Sequence, residues 1–111
     1  MRPDVSANER EVRMSDEQKI EEAGFTMVAK VIRQKGHCAA GHRVGDEVIF
    51  DGNTVQGKVC ISALYSFLPK VFAMRYGARF PWLEDPDVAT HACPDAKNPV
   101  VFEIRRVRDG R

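Results

Sequence analysis

A chain of 111 residues, 43% apolar and 30% charged, has the size of one domain able to close a modest core. That composition excludes a coiled coil or a wholly disordered chain, and a formal net charge of +1 offers no global field to draw nucleic acid or an anionic membrane. The charge is unevenly spread: residues 1–24 carry four Lys/Arg against seven Asp/Glu, while Arg105, Arg106, Arg108 and Arg111 bunch at the other end, where they read as a solvated strand edge.

Residues 1–24 form a polar extension, expected to be partly disordered because its first part has too little apolar surface to offset the entropy of ordering. Within it Ser15 and Gln18 predict a capped helix over 16–23 that Gly24 stops. A single domain is expected over 25–108. Phe25–Arg33 is rich in β-branched and apolar residues and predicts a strand, broken by Gln34-Lys35-Gly36. Val44–Phe50 predicts a second strand, with turn residues Gly45-Asp46 near its start and Asp51-Gly52-Asn53 after it.

From Val59 to Tyr76 the period changes. Cys60, Leu64, Phe67, Leu68, Val71 and Phe72 recur at helical spacing and predict one core-facing stripe. Pro69 should kink this helix or divide it, and Gly77 should end it. Phe80–Asp87 reads as a turn-rich loop, Val88–Cys93 as a short strand stopped by Pro94, and Val100–Val107 as a last strand. The order β-β-α-β-β predicts an α+β fold, a small antiparallel sheet with one central helix packed on one face. Such a sheet leaves a face or edge uncovered, so a homo-oligomer is expected.

No apolar run has the length of a membrane span or the pattern of a signal peptide, so a cytoplasmic protein without a membrane partner is expected. In that reducing compartment three cysteines point to metal binding, catalysis or burial rather than to a disulfide framework. Cys38 and His42 stand four residues apart in a loop containing Gly41, close enough to ligate one ion or to pair. Cys60 falls in the first turn of the predicted helix, where free amides and the helix dipole would favour thiolate. Cys93 ends a strand.

Three readings stay open. Cys38, His42, Cys60 and Cys93 could converge on a transition metal such as zinc or iron, although the chain lacks the closely spaced cysteine pairs of structural zinc sites. Cys60 could act as a thiol with His42 as base, or the cysteines could simply pack. His91 shares a strand face with Cys93 and could support such a site; His37 would point elsewhere. Arg75, Tyr76, Phe80 and Trp82 could line a pocket or plug the end of the core, and Asp85 and Asp87 are turn formers. No nucleotide-binding, hydrolase or zincin motif is present, so no small-molecule substrate is indicated.

The residues Cys38-x-x-Gly41-His42-x-Val44-Gly45-Asp46, Cys60-x-Ser62-Ala63 with Phe72-Ala-Met-Arg75-Tyr76-Gly77 and Phe80-Pro81-Trp82, and Ala92-Cys93-Pro94-Asp95 with Asn98-Pro99 together resemble a family of small, mostly uncharacterised bacterial proteins, about ninety residues long and known only as a domain of unknown function. The likeness spans about Thr26 to Arg106. It implies a shared site built from the three cysteines and the glycine–histidine pair, with no activity attached. Ala39 departs from the family, which commonly has proline after the first cysteine.

Overall fold

The computed structural model describes residues 24–108; the helix predicted over 16–23 lies outside the described residues. Alternation of inward and outward side chains builds the sheet. Strand β1 (Thr26–Gln34) buries Met27, Ala29 and Val31, β2 (Glu47–Asp51) buries Val48 and Phe50, and β5 (Val100–Val107) buries Val100, Phe102, Ile104 and Arg106. With β3 (Thr54–Gln56) and β4 (Val88–Ala92) they form an antiparallel sheet in the order β3-β2-β1-β5-β4. Helix α1 (Ile61–Arg75) packs across one face, and Phe67 at its centre meets Phe50, Phe102 and His91 edge-on at 6.1, 5.0 and 6.2 Å. The expected α+β architecture is therefore present.

Four local expectations are corrected. The turn after β2 adds a short strand, β3, whose three residues are all exposed and so carry no hydrophobic signal. Pro69 lies inside α1 without dividing it: the prolyl nitrogen cannot donate to the Tyr65 carbonyl, but both residues are exposed, where water can satisfy that group. The buried stripe of α1 is Ala63, Phe67, Val71 and Met74, while Leu68 and Phe72, placed on the core face by periodicity, are 40% and 56% exposed. Apolar residues run nearly all round this helix, so its sequence held two candidate stripes. Arg106 is buried rather than part of a solvated edge, because it continues the inward alternation of Phe102 and Ile104.

The helix ends in a Schellman motif: Gly77 N–H donates to the Met74 carbonyl at 3.1 Å and Ala78 N–H to Ala73 at 3.0 Å, with Gly77 at φ +99° as that reversal requires. At the other end of β1, the register slips between Val31 and Arg33 opposite Phe102 and Val101. This bulge turns the chain into the loop before β2, which carries Cys38 and His42. No helix among the described residues is long and apolar enough to cross a membrane.

Candidate functional site: a cleft lined by three thiols

Gly41 sets the geometry of the first loop. Its N–H closes a turn on the Cys38 carbonyl at 2.9 Å, and its φ of +79° reverses the chain so that the His42 N–H meets Cys38 Sγ at 3.4 Å. The His42 ring then enters the protein, 2% exposed, edge-on to Phe102 at 5.4 Å. Its Nε2 accepts the backbone N–H of Cys60 at 3.0 Å. Accepting there places the ring proton on Nδ1 in the neutral form. Nδ1 is buried without a hydrogen-bond partner, and Asp46 Oδ2 faces it at 3.8 Å, too long for a full bond. Burial holds His42 below the ordinary imidazole range; the Asp46 carboxylate opposes that shift and the Lys58 ammonium adds to it.

Cys60 is the N-cap of α1, in extended conformation at φ −65° and ψ 136°, rather than in the first turn as expected. The helical ladder opens with Leu64 N–H on the Cys60 carbonyl at 2.9 Å, so the amides of Ile61, Ser62 and Ala63 precede it and give this end its positive potential. Cys93 follows β4 and faces β5. Its N–H bonds the Val100 carbonyl at 2.8 Å, and its Sγ accepts the Val100 N–H at 3.2 Å. A second tie comes from Asn98, whose Oδ1 accepts the His37 N–H at 2.9 Å while Asp95 Oδ1 accepts the Asn98 N–H at 3.2 Å.

These loops enclose a cleft of about 330 Å³ lined by Cys38, Ala39, Ala40, Cys60, Ser62, Cys93, Pro94, Asp95 and Asn98. Three cysteines far apart in sequence thus share one cleft, all of them free thiols, half-buried and packed at the core's margin. A second hollow, about 470 Å³, opens beside Asp46 and is lined also by Gly41, Arg43, Glu47 and Lys58. Among the described residues no group of three or more His, Cys, Asp or Glu side chains is arranged to hold a metal ion.

The supporting residues named from sequence fall elsewhere. His91 faces α1, with Nε2 hydrogen-bonded to Ser66 Oγ at 3.0 Å, and Ser66 Oγ also stands 3.1 Å from the Ala63 carbonyl. Burial holds His91 below the ordinary imidazole range, helped by Lys70. Arg75 and Tyr76 stand at the opposite end of α1, whose fifteen residues separate them from Cys60 by roughly 22 Å. Arg75 bonds Asn53 and lies against Phe72 and Tyr76, whereas Trp82, 72% exposed, stacks on Phe80 rather than plugging the core.

Sequence reasoning gave Asp46 a turn and a motif position but no role beside His42, four residues before it, and gave no site role to Ser62, Asp95 and Asn98, which line the cleft. No family model matches the chain, and no curated protein or solved structure does, so the geometry of the site carries its functional reading.

Proposed function

We propose that the cleft is a thiol site in which Cys60 is the reactive group, His42 its base and Asp46 the residue that orients the imidazole. The observation that carries this reading is the 3.0 Å bond from the Cys60 N–H to His42 Nε2, with Asp46 facing the other ring nitrogen. The neutral imidazole stands at the nucleophile's own residue, and it acts as a base once Nε2 exchanges the Cys60 N–H for the S–H proton. In the proposed step Nε2 releases the Cys60 N–H and takes the S–H proton, and the sulfur bonds an electrophilic carbon of the ligand, whose bond to its leaving group then breaks. The negative charge displaced onto the ligand is stabilised by the amides at the start of α1, and His42 returns the proton to the leaving group. Free thiols suit a reducing compartment, the cytoplasm.

Alkylation of the native protein, followed by peptide mapping, tests the assignment. Cys60 should react at least about tenfold faster than Cys38 and Cys93, and His42→Gln or Asp46→Asn should slow Cys60 alone by about tenfold or more while far-UV circular dichroism shows the fold retained. Equal rates at all three thiols, or a Cys60 rate indifferent to both substitutions, would refute the reading.

A zinc or iron site would draw on the same three thiols, and their shared cleft supports it; the donors would have to close around the ion, and His42 would have to exchange the Cys60 amide for the metal. Elemental analysis of untagged, anaerobically purified protein decides between the two, with stoichiometric metal that Cys60→Ser abolishes as the result that favours it. Self-association is proposed alongside either chemistry, supported by the sheet face opposite α1, on which no element packs among the described residues, and by the short exposed edge strand β3.

A further inference from the structure

Helix α1 carries a second apolar stripe that nothing in the chain covers among the described residues. It runs Ile61, Tyr65, Leu68, Phe72 and on to Tyr76 at the C-cap, with exposures of 84, 83, 40, 56 and 48%. The remaining exposed helix residues are Ser62 and Pro69, so this face bears no charge in a protein that is 30% charged. Neither cation of the helix is exposed on it: Lys70 Nζ reaches the Thr90 carbonyl at 2.9 Å, and Arg75 is buried with its guanidinium against the Phe72 and Tyr76 rings. A solvated helix face ordinarily carries charge, as the bare sheet face does with Lys30 and Glu103 paired in register.

The size of the stripe fits a partner. At roughly 150–250 Å² per ring, the exposed parts of Tyr65, Phe72 and Tyr76 alone present on the order of 400 Å². With Ile61 and Leu68 added, the patch passes the few hundred Å² usual on a monomer and approaches the roughly 800 Å² per partner of a standard interface.

Its arrangement identifies the partner. The stripe is symmetric about the Leu68–Pro69 bond: Tyr65 and Phe72 lie three residues to either side, Ile61 and Tyr76 seven. In an antiparallel helix pair, positions equidistant from the centre face each other across the axis, so this stripe is complementary to itself. A shallow hollow of about 350 Å³ lined by Tyr65, Leu68, Pro69 and Phe72 lies at that centre, where a facing side chain would enter. From Ile61 to Phe72 the spacing of four, three and four residues suits the shallow left-handed crossing of knobs-into-holes pairs, and Tyr76 follows four residues on at the C-cap.

We infer that this face of α1 is an isologous interface, through which two copies of the chain pair antiparallel about a twofold axis near Leu68. The inference rests on the self-association proposed above and adds its surface. Sedimentation velocity of the full chain, from about 1 to 200 µM, should show a species of twice the 12.5 kDa chain mass that dissociates on dilution. Tyr65→Glu with Phe72→Glu should shift it to monomer over the whole range while far-UV circular dichroism stays unchanged. A photo-crosslinking residue at position 68 should join two copies at position 68 or its neighbours. A wild-type chain that is monomeric throughout overturns both the interface and the self-association. A dimer that survives the double substitution, or crosslinks away from α1, overturns this interface and leaves self-association through another face.

Discussion

Arg106 and Asp87 form a partly buried ion pair that ties three elements together: Arg106 Nε donates to Asp87 Oδ1 at 3.0 Å from a side chain without solvent exposure. Its Nη1 donates to the carbonyls of Met74 at 2.6 Å and Ala78 at 2.9 Å, and its Nη2 to Pro86 at 2.7 Å. The guanidinium therefore satisfies the end of α1 and the loop before β4 from within β5. Truncation would take this donor from the Ala78 and Pro86 carbonyls, while Asp87 keeps Arg108 and the Met74 carbonyl keeps the Gly77 N–H, and Arg106→Ala should destabilise the protein by about 2–4 kcal/mol, measured by urea unfolding. A loss below about 1 kcal/mol would show that water replaces the guanidinium freely.

Asp87 also sets the response to acid. The hydrogen bond from Arg108 first, and that from Arg106 after it, hold its carboxyl below the usual carboxylate range against the opposing effect of burial. A lowered folded value means that this contribution is fully present above the unfolded value of about 4 and is lost as pH falls through the folded one. Thermal midpoints between pH 5 and pH 2 should therefore fall less steeply in Asp87→Asn, from a lower starting point. Parallel curves for the variant and the wild type would contradict this assignment.

A second pH window comes from the histidines. Burial lowers both His42 and His91, so their contribution is complete above about 6.5 and declines as pH drops below it, where the unfolded chain takes up protons first. Proton uptake on unfolding, measured calorimetrically in two buffers of different ionisation enthalpy near pH 6, should be positive and should shrink in His42→Gln. No uptake would mean that the two rings titrate alike in both states.

Pro69 is a destabilising residue in α1. Pro69→Ala restores a donor to the Tyr65 carbonyl in an exposed helix interior and should stabilise the fold by about 1–3 kcal/mol. The measurement belongs in the Tyr65→Glu/Phe72→Glu background, so that association does not contribute. Gly77→Ala should act in the opposite sense, by about 1 kcal/mol, because the Schellman turn holds that residue at positive φ.

The strands and the helix were legible because each carries a local signal. β-Branched and apolar runs bounded by turn residues marked β1, β2 and β4, alternation marked β5, and the change to helical spacing after Val59 marked α1. The same alternation already placed Arg106 on the inner face with Phe102 and Ile104; its charge obscured a signal that was present. Strand β3 had none, being three exposed residues between turn formers.

By itself the sequence determined the element types, their order and the α+β class, since these depend on backbone preference and on which side chains recur every two or every three to four residues. Only the tertiary structure decided which stripe of α1 is buried, because a helix apolar on two sides can dock either way until the sheet's own side chains select one. It also decided that Cys38, Cys60 and Cys93 share one cleft and that His42 spends its Nε2 on the Cys60 amide, eighteen residues away in the chain. Contacts between distant residues follow from how the loops close over the end of the helix, and no local period encodes that closure.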